Sequence, residues 1–177
     1  MKLHLLPMGV ALAVCTATPL TAQTLTTWNS PVNVTASAGT LTKSGGCDGC
    51  PDSGAVSVQI IPGDGYMEFT ASETSALRYI GLAWVNAGKT PAQIRYGLAL
   101  QPGGIVEVRE YGVYRTDTPF APGDVLRIAV KARVVTYYKN GTLLYTSRGL
   151  STRPLLVDVS LLSTGSTVKQ VVTSGSR

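Results

Sequence analysis

The chain has 177 residues, 44% hydrophobic and 14% charged, with 15 Lys+Arg against 10 Asp+Glu and a formal charge of +5. The charges stand singly, without the run or stripe of a nucleic-acid surface, and no segment past the N-terminus stays apolar for the thickness of a bilayer; no nucleic-acid partner and no transmembrane segment are expected. The length suits one domain with a real core.

Residues 1–22 read as a secretory signal peptide: Lys2, an apolar stretch from Leu5 to Val14 broken by Pro7, then Cys15-Thr16-Ala17-Thr18. Cleavage is expected after Ala17 or Ala22, with 23–177 as the exported domain. A lipid on Cys15 is the weaker alternative, because Val14 stands where such signals carry a small residue. The expected location is extracellular, cell-surface or periplasmic, an oxidising setting.

Only Cys47 and Cys50 then remain, within Gly45-Gly46-Cys47-Asp48-Gly49-Cys50-Pro51-Asp52. Zinc wants two further ligands, and the single histidine, His4, belongs to the leader. Redox catalysis places such a pair at a helix start, whereas Gly and Pro crowd both sides here. A small loop disulfide is the favoured reading.

No later segment keeps a 3.6-residue apolar period for three turns, and 19 Gly and 10 Pro punctuate the chain at short intervals. Strands are expected at Val32 to Ala36, Leu41 to Lys43, Ala55 to Ile61, Tyr66 to Ala71, Ala76 to Trp84, Ala92 to Leu100, Ile105 to Arg115, Val125 to Lys131, Val134 to Lys139, Thr142 to Ser147, Leu155 to Leu161 and Thr167 to Thr173. Pro62-Gly63-Asp64-Gly65 and Gln101-Pro102-Gly103-Gly104 are expected to join neighbouring strands as hairpins. Asn140-Gly141 is the strongest hairpin signal, since a two-residue type I′ turn needs positive φ at both central positions. Pairing outward from it sets Tyr138 against Leu143, Tyr137 against Leu144 and Thr136 against Tyr145, a pair apolar on both faces and expected between layers. About twelve such strands make an all-β sandwich or barrel.

Alternation assigns Leu126, Ile128 and Val130 to the core and Arg127 and Lys131 to the outside. By the same rule Gln93 and Arg95 oppose Ile94, Tyr96, Leu98 and Leu100, and Glu107 and Arg109 oppose Val106 and Val108. On one sheet these polar residues would form a lattice, read as solvated surface or, if concave, as a saccharide groove.

Gly123-Asp124 opening a strand, the hairpin Val134-x-x-Tyr137-Tyr138-x-Asn140-Gly141-x-x-Leu144-Tyr145 and the late strand Pro154-Leu155-Leu156-Val157-Asp158 resemble the concanavalin A-like lectin/glucanase superfamily, with laminin G-like and SPRY-like domains carrying similar hairpins. The resemblance runs from Trp28 to the C-terminus. It implies an antiparallel jelly-roll sandwich of the kind found in secreted bacterial surface proteins, binding sugar or protein by a groove or by loops at one end, sometimes with structural calcium. Calcium would find oxygen ligands at Asp48, Asp52 and Asp64, although turn formation alone explains those residues.

Retaining glucanases of this fold place carboxylates at alternate positions of one strand, on one face and roughly 5 Å apart. Here Glu107 and Glu110 fall on opposite faces, with Arg109 between them, and Glu68, with Glu73 just beyond, lacks an evident partner. With no histidine left after processing, Ser-His and Cys-His chemistry are excluded. The expectation is a non-catalytic carbohydrate-binding or adhesion module. Its rivals are a structural or protein-binding matrix domain and a polysaccharide-cleaving enzyme. Sugar rings stack on aromatic faces while their hydroxyls seek polar neighbours. Trp84, entering a polar loop, and Tyr111 and Tyr114, flanking Gly112, are the candidate platforms, with Asn86, Arg95 and Arg109 as hydrogen-bonding neighbours. Trp84 also reads as a core residue capping the sandwich, and alternation allows only one of the two tyrosines to face outward.

Overall fold

The computed structural model describes residues 22–85 and 88–175. The expected leader lies outside these apart from Ala22, and so does Asn86. The strands are β1 (Gln23–Leu25), β2 (Trp28–Val32), β3 (Val34–Ser37), β4 (Thr40–Lys43), β5 (Ser53–Ile61), β6 (Gly65–Thr70), β7 (Arg78–Ala83), β8 (Tyr96–Gln101), β9 (Ile105–Glu110), β10 (Val113–Pro119), β11 (Val125–Lys131), β12 (Val134–Lys139), β13 (Thr142–Leu150), β14 (Leu155–Leu161) and β15 (Thr167–Ser174), with one 3₁₀ turn at Pro91–Gln93. They form two antiparallel sheets, the first in the order β13-β12-β11-β6-β15-β4-β3 with β1 also on β15, the second in the order β10-β9-β8-β7-β14-β5-β2.

Period-two alternation builds the core. Leu126, Ile128 and Val130 of β11 face Leu98, Leu100, Val106 and Val108 of the second sheet, with Met67, Phe69, Val135 and Tyr137 beside them, all buried. Each such side chain removed from water contributes roughly 1.5–3 kcal/mol, which is what holds the layers together.

Several expectations need correction. The strands number fifteen rather than twelve. Ile105 to Arg115 is two strands, since Tyr111-Gly112 makes a tight turn and Glu110 pairs back with Val113. The stretch Ala92 to Arg95 is a turn: buried Ile94 lies outside the core, its Cγ2 beside Gly81 and Gly97 on the outer face of the second sheet. Pro62-Gly63-Asp64-Gly65 joins no neighbours, because β5 and β6 belong to different sheets. The crossing is close: a Cβ on Gly65 would stand 2.3 Å from the Ser174 carbonyl oxygen and 2.9 Å from Ile61 Cγ2. The polar lattice is likewise split, with Glu107 and Arg109 on one sheet and Arg127 and Lys131 on the other.

The β12–β13 hairpin forms at Asn140-Gly141, with φ of 50° and 78°, and Tyr138 pairs with Leu143. A bulge then sets Tyr137 opposite Tyr145 and Thr136 opposite Thr146, correcting the expected register. The pair does not lie between layers: β13 is a sheet edge, with Leu143 and Leu150 exposed. Two further two-residue turns have positive φ throughout, Tyr111-Gly112 (53° and 77°) between β9 and β10, and Ala132-Arg133 (47° and 69°) between β11 and β12.

Candidate functional site

Strand registers collect the ends of β7 and β9, the starts of β8 and β14 and the β11–β12 turn at one end of the sandwich. Leu82 pairs with Tyr96, Tyr96 with Glu110, Leu156 with Ala83, and Lys131 with Val134. Trp84 follows β7 here, half-buried against the core. Arg95, just before β8, donates its backbone N–H to Leu82 O, and Tyr111, just after β9, donates its own to Arg95 O. These backbone bonds stack three side chains: Arg95 Cζ lies 4.6 Å from the Trp84 ring centre and 5.1 Å from that of Tyr111, and the two rings meet edge to face at 6.3 Å. Arg153, just before β14, adds its guanidinium 5.2 Å from the Trp84 ring centre. Such contacts are worth about 0.5–2 kcal/mol each, more as water is excluded, so they hold the guanidinium groups in place without neutralising them.

Beneath this layer the end is sealed by polar groups in the interior. Glu110, 3% exposed, accepts a hydrogen bond from the Tyr137 hydroxyl at 3.3 Å and pairs with Arg115 at 3.3 Å. Burial pushes the Tyr137 hydroxyl well above the usual phenol range, with the Glu110 charge adding to the shift. Burial raises the Tyr96 hydroxyl too, reinforced by a hydrogen bond with Tyr111, so both phenols stay protonated donors. Beside Arg153 a cleft of about 230 Å³ opens between Asp64, Arg133 and Pro154. Asp64 Oδ1 accepts the Ala132 N–H at 2.8 Å, and Arg133 Nε donates to Ser151 O at 3.2 Å.

Of the six residues singled out in the sequence, Trp84, Arg95 and Tyr111 thus meet at one point. Arg109 and Tyr114 pair across the outer face of the second sheet. There Arg109 Nε donates to Glu107 at 2.6 Å and the Tyr114 hydroxyl to Asp117 at 2.6 Å. Both tyrosines are exposed, 45% and 49%, contrary to the alternation argument, because the turn at Tyr111-Gly112 resets the pleat. Sequence reasoning missed Arg133 and Arg153. The available signal for Arg133 was its two-residue gap between β runs, where Asn or Gly is expected. A second polar-aromatic patch, on the outer face of the first sheet, was also missed: Arg127 lies 4.2 Å from the Tyr66 ring centre and donates to Glu68 at 2.6 Å, beside Tyr138.

Cys47 and Cys50 form the disulfide, with Cα atoms 5.4 Å apart. Among the described residues the one trio of potential metal ligands is Cys47, Cys50 and Asp52, and the bond between its two sulfurs occupies them. The oxygens of this loop already surround a cation: buried Lys43 Nζ donates to Cys47 O, Cys50 O, Leu162 O and Asp52 Oδ1 at 2.7–3.0 Å. Hydrogen bonds from Lys43, from the Cys47 N–H and from Ser53 hold the Asp52 carboxyl well below the usual range. Asp48 accepts the Thr164 N–H at 2.8 Å in the same loop. Asp64 lies beyond the other end of β5, about 30 Å along the nine-residue strand, so the three candidate calcium ligands do not converge.

No protein-family model matches the chain, and no curated protein matches it. Among solved structures it is similar to the carbohydrate recognition domain of Emp47p, with a TM-score of 0.53 and 8% identity over 82% of this chain and 86% of that one. It is similar to the SPRY domain of human HERC1, with a TM-score of 0.50 and 14% identity over 76% and 87%. It also matches 30% of the Trypanosoma rangeli sialidase chain, with a TM-score of 0.51 and 13% identity over 86% of this one. At these identities the likeness speaks for the fold: two antiparallel sheets in the jelly-roll arrangement of concanavalin A-like domains.

Proposed function

We propose that this chain is an exported, non-catalytic carbohydrate-binding module whose site is the Trp84 end of the sandwich. The observation that carries this reading is the stack of Arg95 on Trp84 and Tyr111, with Arg153 beside it, at an end where loops from both sheets meet. A ring such as Tyr111, half in water, offers a sugar its apolar face, and fixed guanidinium donors beside it offer hydrogen bonds to hydroxyls. The neighbouring carbohydrate recognition domain and SPRY domain are compatible with a binding role.

The glutamates support the non-catalytic part. All four glutamates are paired with arginine: Glu68 with Arg127, Glu73 with Arg78, Glu107 with Arg109 and Glu110 with Arg115. A glycosidase acid must hold a proton near neutral pH, and a neighbouring guanidinium works against that. Export is supported by the N-terminal pattern and the oxidised cysteine pair. A glycan array tests the reading. The protein is expected to bind defined glycans, and Tyr111→Ala to lose at least tenfold in affinity with its circular dichroism unchanged. Binding that survives both Tyr111→Ala and Trp84→Ala places the site elsewhere, the Tyr66–Arg127 patch first.

A further inference from the structure

Resting on that saccharide reading, we propose that the ligand is acidic, its carboxylate or sulfate groups binding among Arg95, Arg133 and Arg153. Two independent observations carry this. The first is charge. Lys43, Arg78, Arg109, Arg115, Arg127 and Lys139 each have a carboxylate within 4.0 Å; among the described residues Lys89, Arg95, Lys131, Arg133, Arg148, Arg153 and Lys169 have none, and of these Arg95, Arg133 and Arg153 come together around Trp84 and the cleft beside it. Aromatic faces hold Arg95 and Arg153, and a backbone carbonyl holds Arg133. Arg133 and Arg153 line one cleft, whose single carboxylate, Asp64, has one oxygen engaged by the Ala132 N–H. A planar guanidinium presents paired donors that match carboxylate and sulfate oxygens, and uncompensated charges in a hollow focus their field on an incoming anion.

The second observation is the backbone. Ala132 and Arg133 occupy both left-handed positions of a two-residue hairpin turn, at φ 47° and 69°, where Asn-Gly is the preferred pair. A side chain with a Cβ is disfavoured there, and arginine brings no local hydrogen bond to offset it. Tyr111 sits in the same conformation, at φ 53°, although the Gly112 that follows is the favoured residue. Backbone outliers of this kind gather at ligand sites, where the side chain is needed at that point whatever the turn prefers. Of the seven non-glycine residues with positive φ among the described residues, Tyr111, Ala132 and Arg133 lie at this end, while Ser30, Asn33, Asn140 and Gln170 lie elsewhere.

The test is titration calorimetry of the purified protein with polygalacturonate, which carries only carboxylates, dextran sulfate, which carries only sulfates, neutral dextran, and phosphatidylglycerol vesicles. At least tenfold tighter binding to one of the acidic polysaccharides than to dextran is expected, weakening severalfold from about 50 to about 200 mM salt. The two acidic polymers separate the carboxylate from the sulfate. Arg153→Gln is expected to lower that affinity about tenfold, as is the double substitution Ala132→Asn with Arg133→Gly. That double variant keeps the fold and raises Tm by about 3 °C, so its loss of binding is not a loss of structure. Lys169→Gln removes the same charge near the opposite end and leaves affinity within twofold. Equal binding to dextran and to the acidic polymers overturns the inference and leaves the saccharide reading standing. Binding to no polysaccharide overturns both, and binding to the vesicles alone replaces both with a lipid surface.

Discussion

The two turns that flank β12 have the same geometry and opposite chemistry. Asn140-Gly141 uses the residues the left-handed conformation favours, and the Asn140 side chain ties the turn down: Oδ1 accepts the Val125 N–H at 2.8 Å and Nδ2 donates to Asp124 at 2.8 Å. Ala132-Arg133 uses neither favoured residue, and it is braced from outside the turn, by the Asp64 carboxylate on the Ala132 N–H and by Ser151, whose N–H donates to Arg133 O at 2.8 Å. The same contrast holds for the cations nearby. Toward the Asn140 end, buried Lys43 and Arg78 are matched by Asp52 and Glu73, with exposed Lys169 unmatched, whereas three arginines, Arg95, Arg133 and Arg153, gather at the Trp84 end without a carboxylate. One end is composed for folding. The other carries groups that folding does not require, which is how a recognition surface differs from a structural one.

The largest test of this contrast is Lys43→Ala. It leaves Asp52 and three carbonyl oxygens without the ammonium that joins them, and is expected to give the largest fall in urea midpoint of any substitution proposed for this fold. Arg153→Ala at the other end is expected to cost about 0.5–1 kcal/mol in the same experiment, the loss of one exposed contact on the Trp84 ring. Comparable losses from the two would erase the distinction.

Asp158 shows what an unmatched charge does when it is not at the surface. It is buried on the outer face of the second sheet with Oδ2 unpartnered, and burial pushes its carboxyl up to about 7, partly opposed by Lys89. Its ordinary value is 3.8, so between the two the native state binds the extra proton. The associated stability is full below 3.8 and disappears as the pH rises through 7, a swing on the order of 3–4 kcal/mol. Denaturation at pH 5 and pH 8 captures about 2–3 kcal/mol of it, and Asp158→Asn is expected to flatten the difference.

Exchanging the turns gives smaller effects of opposite sign. Writing Ala-Arg in place of Asn140-Gly141 is expected to cost about 2–3 kcal/mol, from left-handed strain plus the lost Asn140 hydrogen bonds. Writing Asn-Gly in place of Ala132-Arg133 is expected to gain about 1 kcal/mol. Two losses, or two gains, would mean that the strain at Ala132-Arg133 is absent.

What the sequence made legible follows the same division. The β11 alternation, the β8–β9 hairpin and the Asn140-Gly141 turn were readable because local preference and final structure agree there. The break at Tyr111 was not, since tyrosine in a left-handed turn looks like one more residue of an alternating strand. Lys43 read as an ordinary strand-end cation, because its partners include a carbonyl 119 residues away at Leu162. Trp84, Arg95 and Tyr111 were visible as residue types, but only the pairing of β7, β8 and β9 brings them together. Arg153 gave no pattern, and Arg133 gave only its place in a two-residue gap between β runs; the meaning of both lies in the cleft they share across the two sheets.

The narrow crossing at Gly65 decides how this surface is able to vary. Backbone presses on backbone there, and the adjoining Asp64 carboxylate grips the Ala132 amide. The perch of Arg133 is therefore fixed by main-chain atoms and one acid, while the arginine itself is interchangeable. Exchanging the residues on that mount would retune what the protein captures without disturbing how the mount is built.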